Sequence, residues 1–176
     1  ELPNGLAVVV PRGSAIFGKD LLLLNIVRQN AGRRPISWSV TAAQKLFNLG
    51  PSLVQQGLAV TMPVLAPDTT HLVSGPARGP GGAPLDLGAT QRLMAESWSF
   101  GALLTGDITR LDGNIRGMAG TIALPYAQVG IALTVRGDTA AAIEALERAM
   151  HLAPQPTIQA ALDELRRGRE SHPSPR

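Results

Sequence analysis

Cysteine is absent from the 176 residues. That excludes disulfide bridges and thiolate zinc sites and leaves the redox compartment open. Aromatic residues amount to 3 %, too few for the row of ring faces on which single-stranded nucleic acids stack. Long apolar runs are missing as well. The wholly apolar stretches are a few residues each, such as the four leucines at 21–24, against the roughly 20 residues that span a bilayer. The segment is therefore expected not to cross a membrane by itself. The chain begins at Glu1, and no basic stretch leading into an apolar one precedes the first element. The expectation is a fragment, or a mature chain, of something longer.

What is present suits a folded domain. Hydrophobic residues make up 44 %, enough for a core, and the net charge is +3 with a pI near 10.2. Basic charge can signal nucleic acid or anionic lipid. Here it is mostly arginine and scattered, apart from Arg33-Arg34 and the group Arg166, Arg167, Arg169. Solvated arginines in an Ala-, Gly- and Pro-rich chain account for it, and no nucleic-acid partner is expected.

Periodicity divides the chain. Residues 6–10 (LAVVV) read as a buried strand. Asp20 can cap a helix over 21–30 that is apolar on most sides and so expected to be largely buried. Residues 35–40 (PISWSV) alternate as a strand with one packed face. A short helix at 42–48 and a turn or short helix at 52–56 follow. A third strand is expected over 58–65, where Pro63 argues for an edge or a bulge. Residues 67–85 are dominated by Gly and Pro and read as a long surface loop. Asp86 can cap a helix from 87 to about 99, residues 101–113 look irregular, and Asp112 can cap what comes next. From 115 the period is 3.6: Ile115, Met118, Ala119, Ile122, Tyr126, Val129 and Leu133 share a stripe, and Pro125 should kink or split it. After a Gly137-Asp138 turn, residues 139–152 form a second amphipathic helix. Thr157 can cap a last one over 158–167, and a polar tail closes the chain.

This pattern predicts an α/β fold, with α+β as the alternative: a small three-stranded layer followed by a helical hairpin and a capping helix. The divisions are an α/β subdomain at 1–66, a Gly/Pro-rich loop at 67–85, a helical region at 86–168 and a tail at 169–176. Within the helical region, residues 124–154 fit the roughly 34-residue tetratricopeptide pattern. Tyr126 takes the first aromatic position, and Gly130 the small residue where two helices cross closely. Ala142 and Ala149 take the two alanines of the second helix, Leu146 the large apolar site between them, and Pro154 the closing proline. Leu133 replaces the usual second aromatic. One repeat is short of the about three that make a solenoid, and an ordinary helical hairpin reads the same residues.

Candidate chemistry is sparse. Residues 13–20 (GSAIFGKD) nearly spell a phosphate-binding loop, but Asp20 stands where a hydroxyl should meet magnesium and Phe17 where a small residue lets backbone wrap phosphate. The simpler reading is a strand-to-helix turn. Asp68 and His71 are half of a metal site on a loop, and a solvated loop histidine explains them as well. Asp107 and Asp112 could form an acid pair, yet Asp112 as a helix cap explains itself. Trp38 and Trp98 read as core. No catalytic, cofactor-binding or metal-ligating residue is assigned, and no cofactor is expected.

The order of motifs resembles the C-terminal soluble part of the bacterial protein O-mannosyltransferase-like membrane proteins. Those carry a Lys-Asp-led apolar helix, a strand like RPIYFA and a strand like LEGLAYRLVP. Here the similar residues are Lys19-Asp20-Leu21 onward, Arg34-Pro35-Ile36-Ser37-Trp38 and Gln56-Gly57-Leu58-Ala59-Val60. Further on, residues 96–100, the run Asp112-Gly113-Asn114-Ile115-Arg116 and the helix pair resemble the family's acidic helix, Asp-x-Asn-x-Arg segment and hairpin. Ser37-Trp38 and Thr61-Met62 depart from the pattern, as does the Gly/Pro-rich stretch. The resemblance implies a non-catalytic extracytoplasmic tail of a membrane glycosyltransferase, on the outer face of a bacterial membrane. Its partners would be the membrane helices of the parent chain and an acceptor protein or peptide. The alternative is a free-standing tetratricopeptide-like module that grips a partner.

Overall fold

Alternation of apolar and polar residues marks two strands of the first half. The computed structural model describes Val8, Arg12 and residues 15–42 and 49–171. The chain forms two compact units, Glu1–Ala89 and Thr90–Arg176. The fold is mixed α/β, with a mixed sheet in the first unit and helices dominating the second.

Among the described residues the sheet has five strands, where the sequence pattern pointed to three. They are β1 (Ile36–Ser39), β2 (Val54–Gln56), β3 (Ala59–Met62), β4 (Leu72–Val73) and β5 (Leu85–Asp86), ordered β1-β3-β2-β5-β4. β1 and β3 are antiparallel, with Ile36 opposite Met62 and Trp38 opposite Val60. β2 and β3 form a hairpin in which Gln56 faces Ala59 across Gly57 and Leu58, and Gly57 supplies the positive φ of 57° that a two-residue turn requires. β2 pairs in parallel with β5 at Gln55 and Leu85, and β4 is antiparallel to β5.

Three expectations change here. Residues 52–56 contain strand β2, preceded by a 3-10 turn at Gly50–Ser52, because Val54 and Gln55 are buried by pairing on both sides. β3 is an interior strand, and Pro63 lies just past its end, where it removes no ladder bond. Residues 67–85, read as a loop, hold β4, the start of β5 and 3-10 turns at Thr69–His71, Gly75–Ala77 and Pro80–Gly82. Strands of two residues are too short to leave an alternation in sequence. The strand expected at 6–10 lies, Val8 apart, outside the described residues, as does the helix at 42–48 beyond Ala42.

The helix α1 (Gly18–Asn30) begins earlier than expected. Asp20 sits in its first turn, where its carboxylate accepts from the Phe17 amide at 2.9 Å. It thus serves the helix start from inside the helix. Val27 is the buried residue of α1. It joins a core with Ala31, Val40, Leu53, Val60 and Met62, with Leu23 packed against it. The expectation of a largely buried helix does not hold: Phe17, Leu21, Leu22 and Ile26 are exposed, since one sheet can cover only one side of a helix.

The helix α2 (Leu87–Arg92) starts at the end of the first unit beside Asp86, which accepts from the Ala89 amide at 2.9 Å, and runs on in the second as a π-helical turn at Leu93–Ser97. The stretch expected to be irregular contains α3 (Ala102–Thr105) and a 3-10 turn at Ile108–Arg110. Then come α4 (Gly113–Arg136), α5 (Thr139–Leu152) and α6 (Pro156–Ser171). α4 runs unbroken through Pro125, which is buried; the packed face outweighs the hydrogen bond that proline forfeits. α6 starts at Pro156, so Thr157 lies in its first turn, and it extends past 169 into the expected tail. Among the described residues, α4 is the helix long and apolar enough to cross a membrane by length and composition, and 56 % of its apolar window is buried.

Gly50 illustrates how tightly the sheet unit closes. A Cβ there would collide with the backbone carbonyl of Gly81, whereas one at Gly18 would meet nothing within 4 Å. We expect Gly50→Ala to lower stability by about 1–3 kcal/mol and Gly18→Ala to leave it unchanged or slightly raised, as read from urea unfolding midpoints.

Candidate functional site

The turn between α4 and α5 is specified residue by residue. Gly137 takes φ of 81° and its amide reaches the Leu133 and Thr134 carbonyls. The Asp138 amide reaches the Leu133 carbonyl at 3.0 Å, which closes the helix end in a left-handed cap. The Asp138 carboxylate then accepts from the Ala141 amide at 3.2 Å and starts α5. Asp112 does the same for α4, accepting from the Asn114 and Ile115 amides at 2.8 and 3.0 Å. Helix starts carry orphan amides, and a carboxylate there is worth about 1 kcal/mol.

The two helices meet at Gly130. A Cβ built on Gly130 would lie 2.5 Å from Leu146 Cγ, 2.6 Å from Leu146 Cδ2 and 3.3 Å from the Ala142 carbonyl. Leu146 and Ala142 are buried, as are Tyr126 and Ala149. Five of the six residues singled out from the sequence therefore sit in the packed seam or beside it. Pro154 is exposed in the connection between α5 and α6. On the α4 stripe, Ala119, Ile122, Tyr126, Val129 and Leu133 are buried, while Ile115 and Met118 face solvent.

Sequence reasoning missed the ring cluster. Trp98 packs edge-on to Tyr126 with centroids 6.0 Å apart, and Phe100 lies 5.3 Å from Trp98. The Trp98-x-Phe100 spacing is visible in the sequence, but its meeting with Tyr126 is not. Burial pushes the Tyr126 phenol above its ordinary value, opposed by the charge and hydrogen bonding of Arg148. Arg148 also holds Glu144 at 2.6 Å. Beside this pair a groove of about 240 Å³ is lined by Met94, Ala95, Val129, Leu133, Ala145 and Arg148, among others. It falls below the roughly 300–1,000 Å³ of small-molecule pockets and suits one side chain. A wider cleft of about 510 Å³ lies between the α4–α5 turn and α6, with Asp138, Glu164 and Arg169 on its walls.

The acidic candidates are engaged in local structure. Asp68 accepts from the Thr70 amide and hydroxyl at 2.9 and 2.8 Å. These bonds, with a smaller effect of His71, hold its carboxyl below the usual range. Asp107 accepts from the Thr109 hydroxyl and amide at 2.5 and 3.0 Å and pairs with Arg110 at 3.2 Å, which lowers its carboxyl likewise. Asp107 and Asp112 thus start different elements. Lys19 lies 5.9 Å from the Phe17 ring centroid, and Asp20 faces the Phe17 amide; Gly13 and Ser14 of the phosphate-loop reading lie outside the described residues. Among the described residues, no three His, Asp or Glu side chains are grouped as a metal ion would need. Trp38 is half-buried against the sheet core.

Comparison with family models, with curated proteins and with solved structures finds no match to this chain.

Gly130→Ala should destabilise the protein by about 1–3 kcal/mol, because buried Leu146 has nowhere to move. Gly120→Ala in the same helix, where a Cβ meets nothing within 4 Å, should stabilise by about 0.5–1 kcal/mol; thermal and urea unfolding measure both. For Tyr126, the only tyrosine in the chain, the raised phenol favours the neutral form in the fold. Its contribution is fully present below the ordinary phenol value near 10 and is lost as pH rises through the higher folded value. Near-ultraviolet phenolate absorbance should therefore titrate later in the native than in the urea-unfolded protein. Tyr126→Phe should flatten the alkaline loss of stability, and coincident native and unfolded midpoints would mean a solvated ring.

Proposed function

We propose that this chain is a non-catalytic extracytoplasmic C-terminal domain of a membrane glycosyltransferase of the protein O-mannosyltransferase-like kind. Its role is acceptor recognition or structural support. The observation that carries this reading is the pairing of two resembling segments. Arg34-Pro35-Ile36-Ser37-Trp38 leads into β1, and Gln56-Gly57-Leu58-Ala59-Val60 makes the β2–β3 turn, with Trp38 opposite Val60. Segments that resemble one family separately thus belong to one paired sheet. The engagement of Asp68, Asp107 and Asp112 in capping supports a supporting role rather than acid–base chemistry. In this reading α4 and α5 are a single tetratricopeptide-like pair, with the Gly130 crossing supplying the close approach and α6 the cap. The partners are the parent's membrane helices and an acceptor polypeptide.

A second reading, a free-standing tetratricopeptide-like module, is favoured by the side-chain-sized groove beside Arg148, which fits an anchor residue of a bound peptide. Fractionation of the native organism with an antibody to this chain separates the two. Recovery in membranes, on a polypeptide much larger than 18.4 kDa and open to protease added from outside, is expected. Recovery at that mass in the soluble fraction would reject the first reading in favour of the second.

A further inference from the structure

The helix α1 carries more apolar surface than its own unit covers. Val27 and Leu23 face the sheet core, yet Phe17 is 61 %, Leu21 58 %, Leu22 62 % and Ile26 43 % exposed. At 100° per residue, Leu21, Leu22 and Ile26 lie on the side opposite Val27, with Asn25 and Gln29 between them. Lys19 and Arg28 fall at the two borders of that face, and both are exposed. From residue 12 to residue 34 the basic side chains are Arg12, Lys19, Arg28, Arg33 and Arg34, against the single carboxylate of Asp20. At 100° per residue that carboxylate falls on the Val27 side of the helix, away from the outward face. A face on which Leu21, Leu22 and Ile26 flank the polar Asn25 and Gln29, with an aromatic at one end and one cation at each edge, suits the interface of a lipid bilayer. There the apolar side chains enter the acyl boundary and the cations meet phosphate headgroups. A protein partner matched only to the apolar side chains would leave the bordering cations without a role.

We infer that the outward face of α1, through Phe17, Leu21, Leu22 and Ile26 with Lys19 and Arg28, docks the sheet unit onto an anionic phospholipid surface. The helix is anchored to the core by Val27, so the face is presented without the helix having to fold on binding. This goes beyond the parentage proposed above and does not depend on it, because a tethered domain need not touch lipid.

Vesicle flotation of the whole 176-residue chain tests it. Vesicles of phosphatidylglycerol and phosphatidylcholine in equal parts should bind the chain about tenfold more tightly than phosphatidylcholine alone, and added salt should weaken the binding. The pair Leu21→Glu and Leu22→Glu should reduce binding about tenfold. The pair Lys19→Glu and Arg28→Glu should abolish the preference for anionic vesicles. Both pairs replace exposed residues, and unchanged circular dichroism melts confirm folding; the charge pair carries the test if the leucine pair unfolds. Absence of binding by the wild-type chain, or equal binding by a folded variant pair, overturns the inference. So does a wild-type dimer in sedimentation that the leucine pair dissolves while vesicles bind neither, since the face would then cover a second copy. Any of these leaves the fractionation result above untouched.

Discussion

A missing side chain at Gly130 sets the distance at which α4 and α5 pass each other, and the helical unit is arranged around that crossing. The space where a Cβ would stand is filled by Leu146. Once Leu146 is seated there, Ala142 and Ala149 are the sizes that allow α5 to lie along α4, and both are fully buried. Apolar side chains of this kind gain about 1.5–3 kcal/mol each on burial. The seam with Tyr126, Val129, Leu133, Ile143 and Leu146 therefore outweighs what Pro125 removes from the backbone of α4. Interiors pack like crystals, which is why a single added carbon at Gly130 matters while one at Gly120 does not.

Charge plays a different part from packing. Asp20, Asp68, Asp86, Asp107, Asp112 and Asp138 each accept a backbone amide at the start of a helix or turn. The chain has few acidic residues to begin with, and the capping of its many short elements occupies a large part of them. The other ion pairs among the described residues, Arg148 with Glu144 and Arg166 with Glu147, are half-exposed and add little stability. Arg148 is the exception in position, since it stands beside both the Tyr126 phenol and the α4–α5 groove.

Much of this was legible. The Gly137-Asp138 turn, the cap at Asp112 and the extent of α5 follow from local rules: a left-handed glycine, a carboxylate ahead of an apolar period, and a 3.6-residue repeat. Of the inward set Ala142, Ile143, Leu146, Ala149 and Met150 that the same repeat predicts, the first four are buried and Met150 is half-buried. The sheet was half legible. Alternation marked β1 and β3, but β2, β4 and β5 span two or three residues, and pairing partners, not their own composition, hold them extended. Gly79, just before the 3-10 turn at Pro80–Gly82, shows why: it leaves room for the buried Gln55 side chain, a relation between residues far apart in the chain.

Local chemistry along the chain was enough to place the cap of α4, the α4–α5 turn and the extent and apolar stripe of α5, because capping and periodicity act over four residues. It could not determine how many strands the sheet has, whether Pro125 would divide α4, or which side of α1 meets solvent. Those were decided by tertiary structure, through pairings between distant segments and through the fact that one sheet face covers only one side of a helix.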